Sequence, residues 1–277
     1  MTENHTLPIK IDFFEKRDKY HIAIDRIKQF EPPEGYYLNF SGGKDSIVLY
    51  DLTIKAGVKF DAHYAVTTID PPELVSFIRQ EYPMVVFERP DTNLFKLIPR
   101  KRMPPTRKVR YCCEHLKERW GSGRINLLGL RWAESSKRKK RKLVENCYKD
   151  TTKFNLNPII DFSDWDVWHY IKKIGNLKYC SLYDEGFKRL GCVGCPMAGK
   201  NRIMEFQRYP KIKNIWIKAF DLMVQKRIAD GLKTNWKSGQ EVFDWWMEEK
   251  NIKLDINQLE LFSPEENETT RKDDLVK

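Results

Sequence analysis

The sequence predicts an α/β protein: a doubly wound, mainly parallel sheet of about five strands with helices on both faces, followed by a C-terminal helical appendage. Three observations carry this expectation. A short apolar run, Tyr36–Phe40, passes through Ser41-Gly42-Gly43 into apolar positions at Ile47, Val48, Leu49, Leu52 and Ile54, the pattern of a buried strand feeding a helix. The alternation strand, helix, strand, helix, strand continues to Phe87, which goes with a parallel sheet and right-handed crossovers. Ile125–Leu130 and Asn157–Ile160 supply two further strand candidates, the second of them short and at an edge.

Taken in order, Phe13, Phe14, Tyr20, Ile22, Ile24 and Ile27 suggest an amphipathic helix between Ile11 and Phe30 that packs on the core. Pro32-Pro33 ends it and Gly35 opens the first strand. Phe60–Val66 reads as the second strand, Glu73–Glu81 as a helix and Met84–Phe87 as the third strand. Arg100–Arg110 is basic and broken by proline; we read it as a loop forming a lid over phosphates, with a solvated charge run as the plain alternative. Ser163 or Asp164 is placed to cap a helix whose Trp165, Val167, Trp168 and Ile171 recur at core spacing, with His169 in a structural role. Phe206–Lys233 and Gly239–Trp246 read as helices coating the main domain. The expected organisation is therefore an N-terminal helix in 1–35, a nucleotide-binding domain with a four-cysteine metal site in 36–200, a helical region in 201–262 and a disordered tail in 263–277.

The stretch Ser41–Ser46, SGGKDS, has the chemistry of a phosphate site. Glycines let the backbone approach a ligand closely, and a helix starting there aims unpaired N–H groups and its positive end at the same point. Asp45 and Ser46 lie in the first turn, where a hydroxyl reaches phosphate or a metal ion. The alternative is an ordinary strand-to-helix connection, but the full motif in this setting is far rarer. The G-x-x-x-x-G-K-[ST] pattern is absent. Ligands in such sheets sit at the carboxyl ends of strands, where Thr67–Asp70 and Arg131 would also lie.

The chain has 277 residues, 41% hydrophobic, with a net charge of +11 and a pI near 9.2. That charge favours polyanions such as nucleotides or nucleic acid, although a merely solubilising basic surface would look the same. Lys137–Lys142 is a run of six consecutive basic residues, which suits a polyanionic partner such as DNA or RNA. No apolar run has the length of a membrane span and the N-terminus lacks an apolar signal core, so a cytoplasmic protein is expected.

Six cysteines in such a protein are not expected to form disulfides. Cys112-Cys113 and Cys192-Val193-Gly194-Cys195 form two close pairs with 78 residues between them. Four thiolates are the ligand count for tetrahedral zinc or a 4Fe–4S cluster. The adjacency of Cys112 and Cys113 favours the cluster, whose separate iron corners suit neighbouring cysteines, over zinc. Cys147 and Cys180 stand apart from both pairs.

Together these residues resemble the phosphoadenosine phosphosulfate reductase family of pyrophosphate-loop proteins, over roughly 36–196. SGGKDS matches the nucleotide loop. Pro72-Glu73-Leu74, Cys112-Cys113 with Leu116-Lys117, Gly129-Leu130-Arg131 with Glu134-Ser135, Pro158 with Trp165–Trp168, and Tyr183–Gly186 with Gly191-Cys192 and Cys195 follow in the family's order. The resemblance implies an adenine nucleotide alpha hydrolase-like fold, ATP or an adenylyl sulfonucleotide at Ser41, Gly42, Gly43, Lys44, Asp45, Ser46, Thr68 and Gly129, Mg²⁺ on the phosphates, and catalytic roles for Lys44, Asp45 and Arg131. It also implies a 4Fe–4S cluster on Cys112, Cys113, Cys192 and Cys195. Two departures stand out. No cysteine follows Cys195 to act as the family's C-terminal nucleophile, and Thr67-Thr68-Ile69 replaces its D-T-G.

The expected activity is cleavage at the α phosphate with pyrophosphate release, which activates an acceptor for sulfur transfer or nucleic-acid modification, with a sulfur donor or partner protein and homo-oligomerisation left open. Two alternatives remain: a sulfonucleotide reductase using an external thiol, and a non-catalytic, nucleotide-sensing accessory protein that binds nucleic acid.

Overall fold

The computed structural model describes residues 18–147 and 150–248. A six-stranded sheet runs in the order β3-β2-β1-β4-β6-β5. Its strands are β1 (Tyr36–Asn39), β2 (Phe60–Ala65), β3 (Val86–Glu88), β4 (Ile125–Leu127), β5 (Val144–Cys147) and β6 (Asp150–Leu156). Every neighbouring pair is parallel except β5–β6, which is antiparallel. The helices are α1 (Lys19–Gln29), α2 (Lys44–Ala56), α3 (Pro72–Glu81), α4 (Leu94–Lys101), α5 (Tyr111–Cys113), α6 (Asp164–His169), α7 (Asn201–Arg208), α8 (Pro210–Ala229) and α9 (Gly239–Met247). Among the described residues no helix is long and apolar enough to cross a membrane.

The two faces of β1 differ. Tyr36, Leu38 and Phe40 are buried. The Tyr36 hydroxyl donates to the Ile27 carbonyl of α1 at 2.7 Å, and Phe40 packs edge-on to Tyr50 of α2. The alternate residues are polar: Tyr37 stacks on His63 at 4.0 Å and Asn39 donates to Asn126 at 2.9 Å. A period of two carries both sets, one for the apolar layer and one for a polar floor.

α6 is held by a capping box. Ser163 Oγ accepts from the Asp166 amide at 3.2 Å, and the Asp166 carboxylate accepts from the Ser163 amide at 2.7 Å. Asp166 also pairs with Lys19 of α1 at 2.9 Å. Burial alone would raise its pKa, but the hydrogen bonds from Ser163 and the Lys19 charge outweigh it and hold the carboxyl below its ordinary value.

Several expectations need revising. The sheet has six strands because β5 and β6 pair antiparallel at its edge. Their residues are mostly polar, with Val144 and Phe154 exposed, so apolar periodicity did not reveal them. Asn157–Ile160 is a turn, closed by the Ile160 amide on the Asn157 carbonyl at 3.1 Å; its apolar side chains are buried without being strand. The expected loop Arg100–Arg110 begins in the last turn of α4, which extends to Lys101. Phe206–Lys233 is two helices broken at Tyr209-Pro210, since proline cannot donate to a continuing helix but fits a first turn. Val167 and Ile171 are core, but Trp165 is 49% exposed. Phe13 and Phe14 of the N-terminal helix, and the tail 263–277, lie outside the described residues.

Replacing the α6 cap, Ser163→Ala, is expected to cost about 1 kcal/mol and lower the melting temperature by roughly 2–4 °C, measured by calorimetry. The Asp166 contribution has a defined sign. With a folded pKa below the unfolded one, it is present above the ordinary carboxylate range and fades as pH falls through the folded value.

Candidate functional site

β1 and β4 are adjacent parallel strands, and the sheet's direction of winding reverses between them. Their carboxyl ends carry Ser41–Ser46 and Gly129–Arg131, so both segments meet at the switch point where α/β sheets bind ligands. A cavity of about 550 Å³ opens there. Its lining includes Ser41, Gly43, Lys44, Asp45, Ser46, Gly129 and Arg131 of the expected site. Cys192 and Cys195 lie on its wall.

α2 begins at Lys44 with Gly43 as its N-cap. Gly42 sits at φ +68°, and a Cβ there would lie 2.7 Å from Ile78 and 2.8 Å from Leu74 of α3. Its role is to let the turn pass close to α3; it does not line the cavity. Gly129 permits an equally close approach, a Cβ there coming within 3.1 Å of the Asp45 backbone. The loop's amides meet hydroxyls. Ser41 N donates to Ser46 Oγ at 3.2 Å, Gly43 N to Ser41 Oγ at 3.3 Å and Lys44 N to Tyr183 Oη at 2.9 Å. These are donors that a phosphate oxygen can take over, at the positive end of a 13-residue helix.

Arg131, expected in a catalytic role, lines the cavity from a buried position. It is 1% exposed and fully engaged: Nε donates to Asp45 at 2.6 Å, Nη2 to Asp164 at 2.8 Å and Nη1 to the Phe162 carbonyl at 3.2 Å. Lys44 Nζ lies 3.3 Å from Asp45 and 3.7 Å from Asp164. Arg131 thus positions the two carboxylates around the loop. Burial would raise the Asp164 pKa, but the Arg131 hydrogen bond and charge hold it down.

The cations facing the cavity come from elsewhere than the expected lid. Arg100–Arg110 docks on the C-terminal helices: Arg102 pairs with Asp230 at 2.5 Å, Arg227 donates to the Arg102 carbonyl at 2.8 Å, and Trp246 to the Pro105 carbonyl at 2.7 Å. No residue of that stretch lines the cavity. Arg138 from the basic run does, with Lys188, Arg189 and Lys117.

Thr68 also lies off the cavity. It adopts φ +68°, and its hydroxyl accepts from the Leu94 amide at 3.3 Å, at the start of α4. The cavity is lined instead by Asp70, whose carboxylate accepts from the Thr67 amide at 2.7 Å and hydroxyl at 2.6 Å. Tyr64 buries its hydroxyl in the same wall, near Asp70 but in no geometry that makes a hydrogen bond. Asp70 and Tyr183 fall in segments already singled out, Thr67–Asp70 at a strand end and Tyr183–Gly186 in the family's order, but neither is marked out there as a site residue. Tyr64 and Arg189 carry no motif signal on their own; only a strand end, for Tyr64, and closeness to Cys192, for Arg189, could have drawn attention to them.

The segment 192–195 is tied down at each step. Val193 N donates to the Ile69 carbonyl at 2.8 Å, Trp216 Nε1 to the Val193 carbonyl at 3.2 Å and Gly194 N to Glu205 at 2.7 Å. The Cys192 thiol donates to Thr67 Oγ1 at 3.3 Å. A hydrogen bond from Cys112, then one from Arg110 at 3.2 Å, pulls the Cys113 thiol below its ordinary value. The same shared proton pushes Cys112 up, helped by burial and by the nearby Cys192 and Cys195. The Cys112 thiol is thus within electrostatic reach of the other three. Among the described residues no three His, Cys, Asp or Glu side chains close on one metal position.

Arg131→Met leaves the partly exposed Asp45 and Asp164 with Lys44 as their remaining cation and the Phe162 carbonyl without its donor. We expect a loss of about 1–3 kcal/mol in chemical denaturation, whereas a purely peripheral arginine would cost under about 1 kcal/mol.

The model of the phosphoadenosine phosphosulfate reductase domain matches residues 35–198, more than half of the chain. An uncharacterized protein of Methanocaldococcus jannaschii is 28% identical over 221 residues, covering 74% of this chain and 53% of that protein. A probable FAD synthase of Schizosaccharomyces pombe is 32% identical over 166 residues, 58% of this chain and 60% of that one. An adenosine 5'-phosphosulfate reductase of Oceanobacillus iheyensis is 27% identical over 171 residues, 56% and 68%. The chain spans little more than half the length of the first two. With the loop, the paired strand ends and the order of motifs in place, the chain belongs to the phosphoadenosine phosphosulfate reductase family.

Proposed function

We propose that Ser41–Ser46 holds the phosphates of ATP, and that the α phosphate is attacked with release of pyrophosphate; an adenylyl sulfonucleotide, which has no β phosphate, belongs to the second reading below. The observation that carries this reading is the start of α2 at the switch point, its amides capped only by hydroxyls, inside a cavity large enough for a nucleotide. In the step, an acceptor oxygen or sulfur bonds to the α phosphorus. The α–β P–O bond breaks, and its electron pair leaves with pyrophosphate. Lys44 and the loop amides stabilise the growing charge on the leaving group. Asp45 and Asp164, with side chains 23% and 70% exposed, are the carboxylates beside the loop that would hold Mg²⁺. The FAD synthase relatives support an adenylyl-transfer type of chemistry.

Cys112, Cys113, Cys192 and Cys195 would hold a 4Fe–4S cluster. Two cysteine pairs supply the four thiols that such a cluster takes, and the Cys112 thiol lies within electrostatic reach of the other three. Bound there, the cluster would supply sulfur handling or bracing beside the nucleotide. The chain's own part is to hold Cys192 and Cys195 on the cavity wall through Ile69, Glu205 and Trp216.

A second reading is a sulfonucleotide reductase that borrows a thiol from a partner, favoured by the adenosine 5'-phosphosulfate reductase relative. Sulfite release from the sulfonucleotide with thioredoxin would select it.

Pyrophosphate release from ATP, assayed with nucleic acid present, is expected to fall about 100-fold or more in Lys44→Ala. Undiminished ATP binding without release under any condition would overturn the enzymatic reading. Protein purified without air is expected to be brown with about four irons; one zinc and no colour would reassign the cysteines.

A further inference from the structure

We infer that the rim of the cavity beside α6 is a binding surface for single-stranded nucleic acid, which delivers one nucleotide of the strand into the cavity as the acceptor. The inference rests on the nucleotide reading above for its chemistry, but its surface argument stands apart from the loop.

Two tryptophans frame the place. Trp132 follows Arg131 and Trp165 follows Asp164 in the chain. Arg131 and Asp164 line the cavity and pair at 2.8 Å, so each tryptophan is the chain neighbour of a cavity residue, though neither indole lines the cavity itself. They are 39% and 49% exposed, unusual for side chains of this size. Neither is loose. Trp132 Nε1 donates to the Arg141 carbonyl at 2.8 Å, and Trp165 stacks on His169 at 4.4 Å and 15°. Fixed, half-exposed indoles are stacking platforms for unpaired bases.

The Arg141 bond also clamps the end of the basic run against Trp132. Arg138 of that run turns into the cavity, where Glu134 pairs with it, while Lys137, Lys139 and Lys140 stay exposed. Lys188 and Arg189 continue the cationic edge along the wall. Among the described residues no carboxylate forms an ion pair with Lys137, Lys139, Lys140, Lys188 or Arg189. Cations outside any ion pair, close in the chain to flat aromatic side chains, match a phosphate backbone with unstacked bases. The geometry selects a single strand over a duplex. The reacting group has to enter the cavity to reach the loop, and paired bases keep theirs inside the stack.

The test is fluorescence anisotropy with a labelled single-stranded oligonucleotide and its duplex across a salt series, on the full chain, alongside ATP binding by calorimetry. We expect the single strand to bind more tightly than the duplex. Trp165→Ala should weaken it about tenfold. The triple variant Lys137→Ala, Lys139→Ala, Lys140→Ala should reduce the slope of log K against log salt by about 2. Both variants should bind ATP as the wild type does, which shows that they fold. Preference for the duplex, no oligonucleotide binding, or binding indifferent to both variants would overturn the inference. If the oligonucleotide binds as expected while the wild type fails to bind ATP, the surface stands and the nucleotide reading falls.

Discussion

The site depends on one buried cation. The Arg131 guanidinium leaves the end of β4, crosses beneath the loop after β1 and meets the first turn of α6, binding Asp45, Asp164 and the Phe162 carbonyl. Three segments far apart in sequence are thus referred to one rigid fork of donors. Such a pair is weak evidence for stability as such, because desolvating the charges offsets most of their attraction. What it supplies is position: with Asp45 held sideways, the loop amides of α2 remain pointed at the cavity, and Lys44 is kept between two carboxylates.

The cavity has a second anchor on the opposite side. The turn after β2 takes the Val193 amide on the Ile69 carbonyl, and α7 and α8 reach the same cysteine segment through Glu205 and Trp216. Burial raises the Glu205 pKa, outweighing the Gly194 amide bond and the charges of Arg202 and Arg189, which act to lower it. The C-terminal helices are therefore more than a coat. Arg102, Arg227 and Trp246 knit the proline-broken basic stretch onto them, which explains why those charges never approach the loop.

Some residues were legible for physical reasons that act locally. Ser41–Ser46 between an apolar run and a helical pattern has few other uses, and the Ser163 cap follows from a hydroxyl three residues ahead of Asp166. Others were not. Arg131 was picked from its place at a strand end, yet its function as a brace depends on carboxylates 86 and 33 residues away. Thr68 and Asp70 stand two residues apart, and nothing in their spacing says that the first would cap a neighbouring turn and the second would face the cavity.

By itself the amino-acid sequence determined the alternation of elements, the phosphate-type loop and the pairing of cysteines, because periodicity, glycine freedom and helix-end chemistry are properties of short stretches. The antiparallel edge pair was lost because its exposed strands carry little apolar signal. Only the tertiary structure decided which basic run meets the cavity, that Tyr183 covers the Lys44 amide, and that two tryptophans remain half-exposed beside an ion pair. Those outcomes are set by which distant surfaces come together, and a one-dimensional pattern holds no term for that.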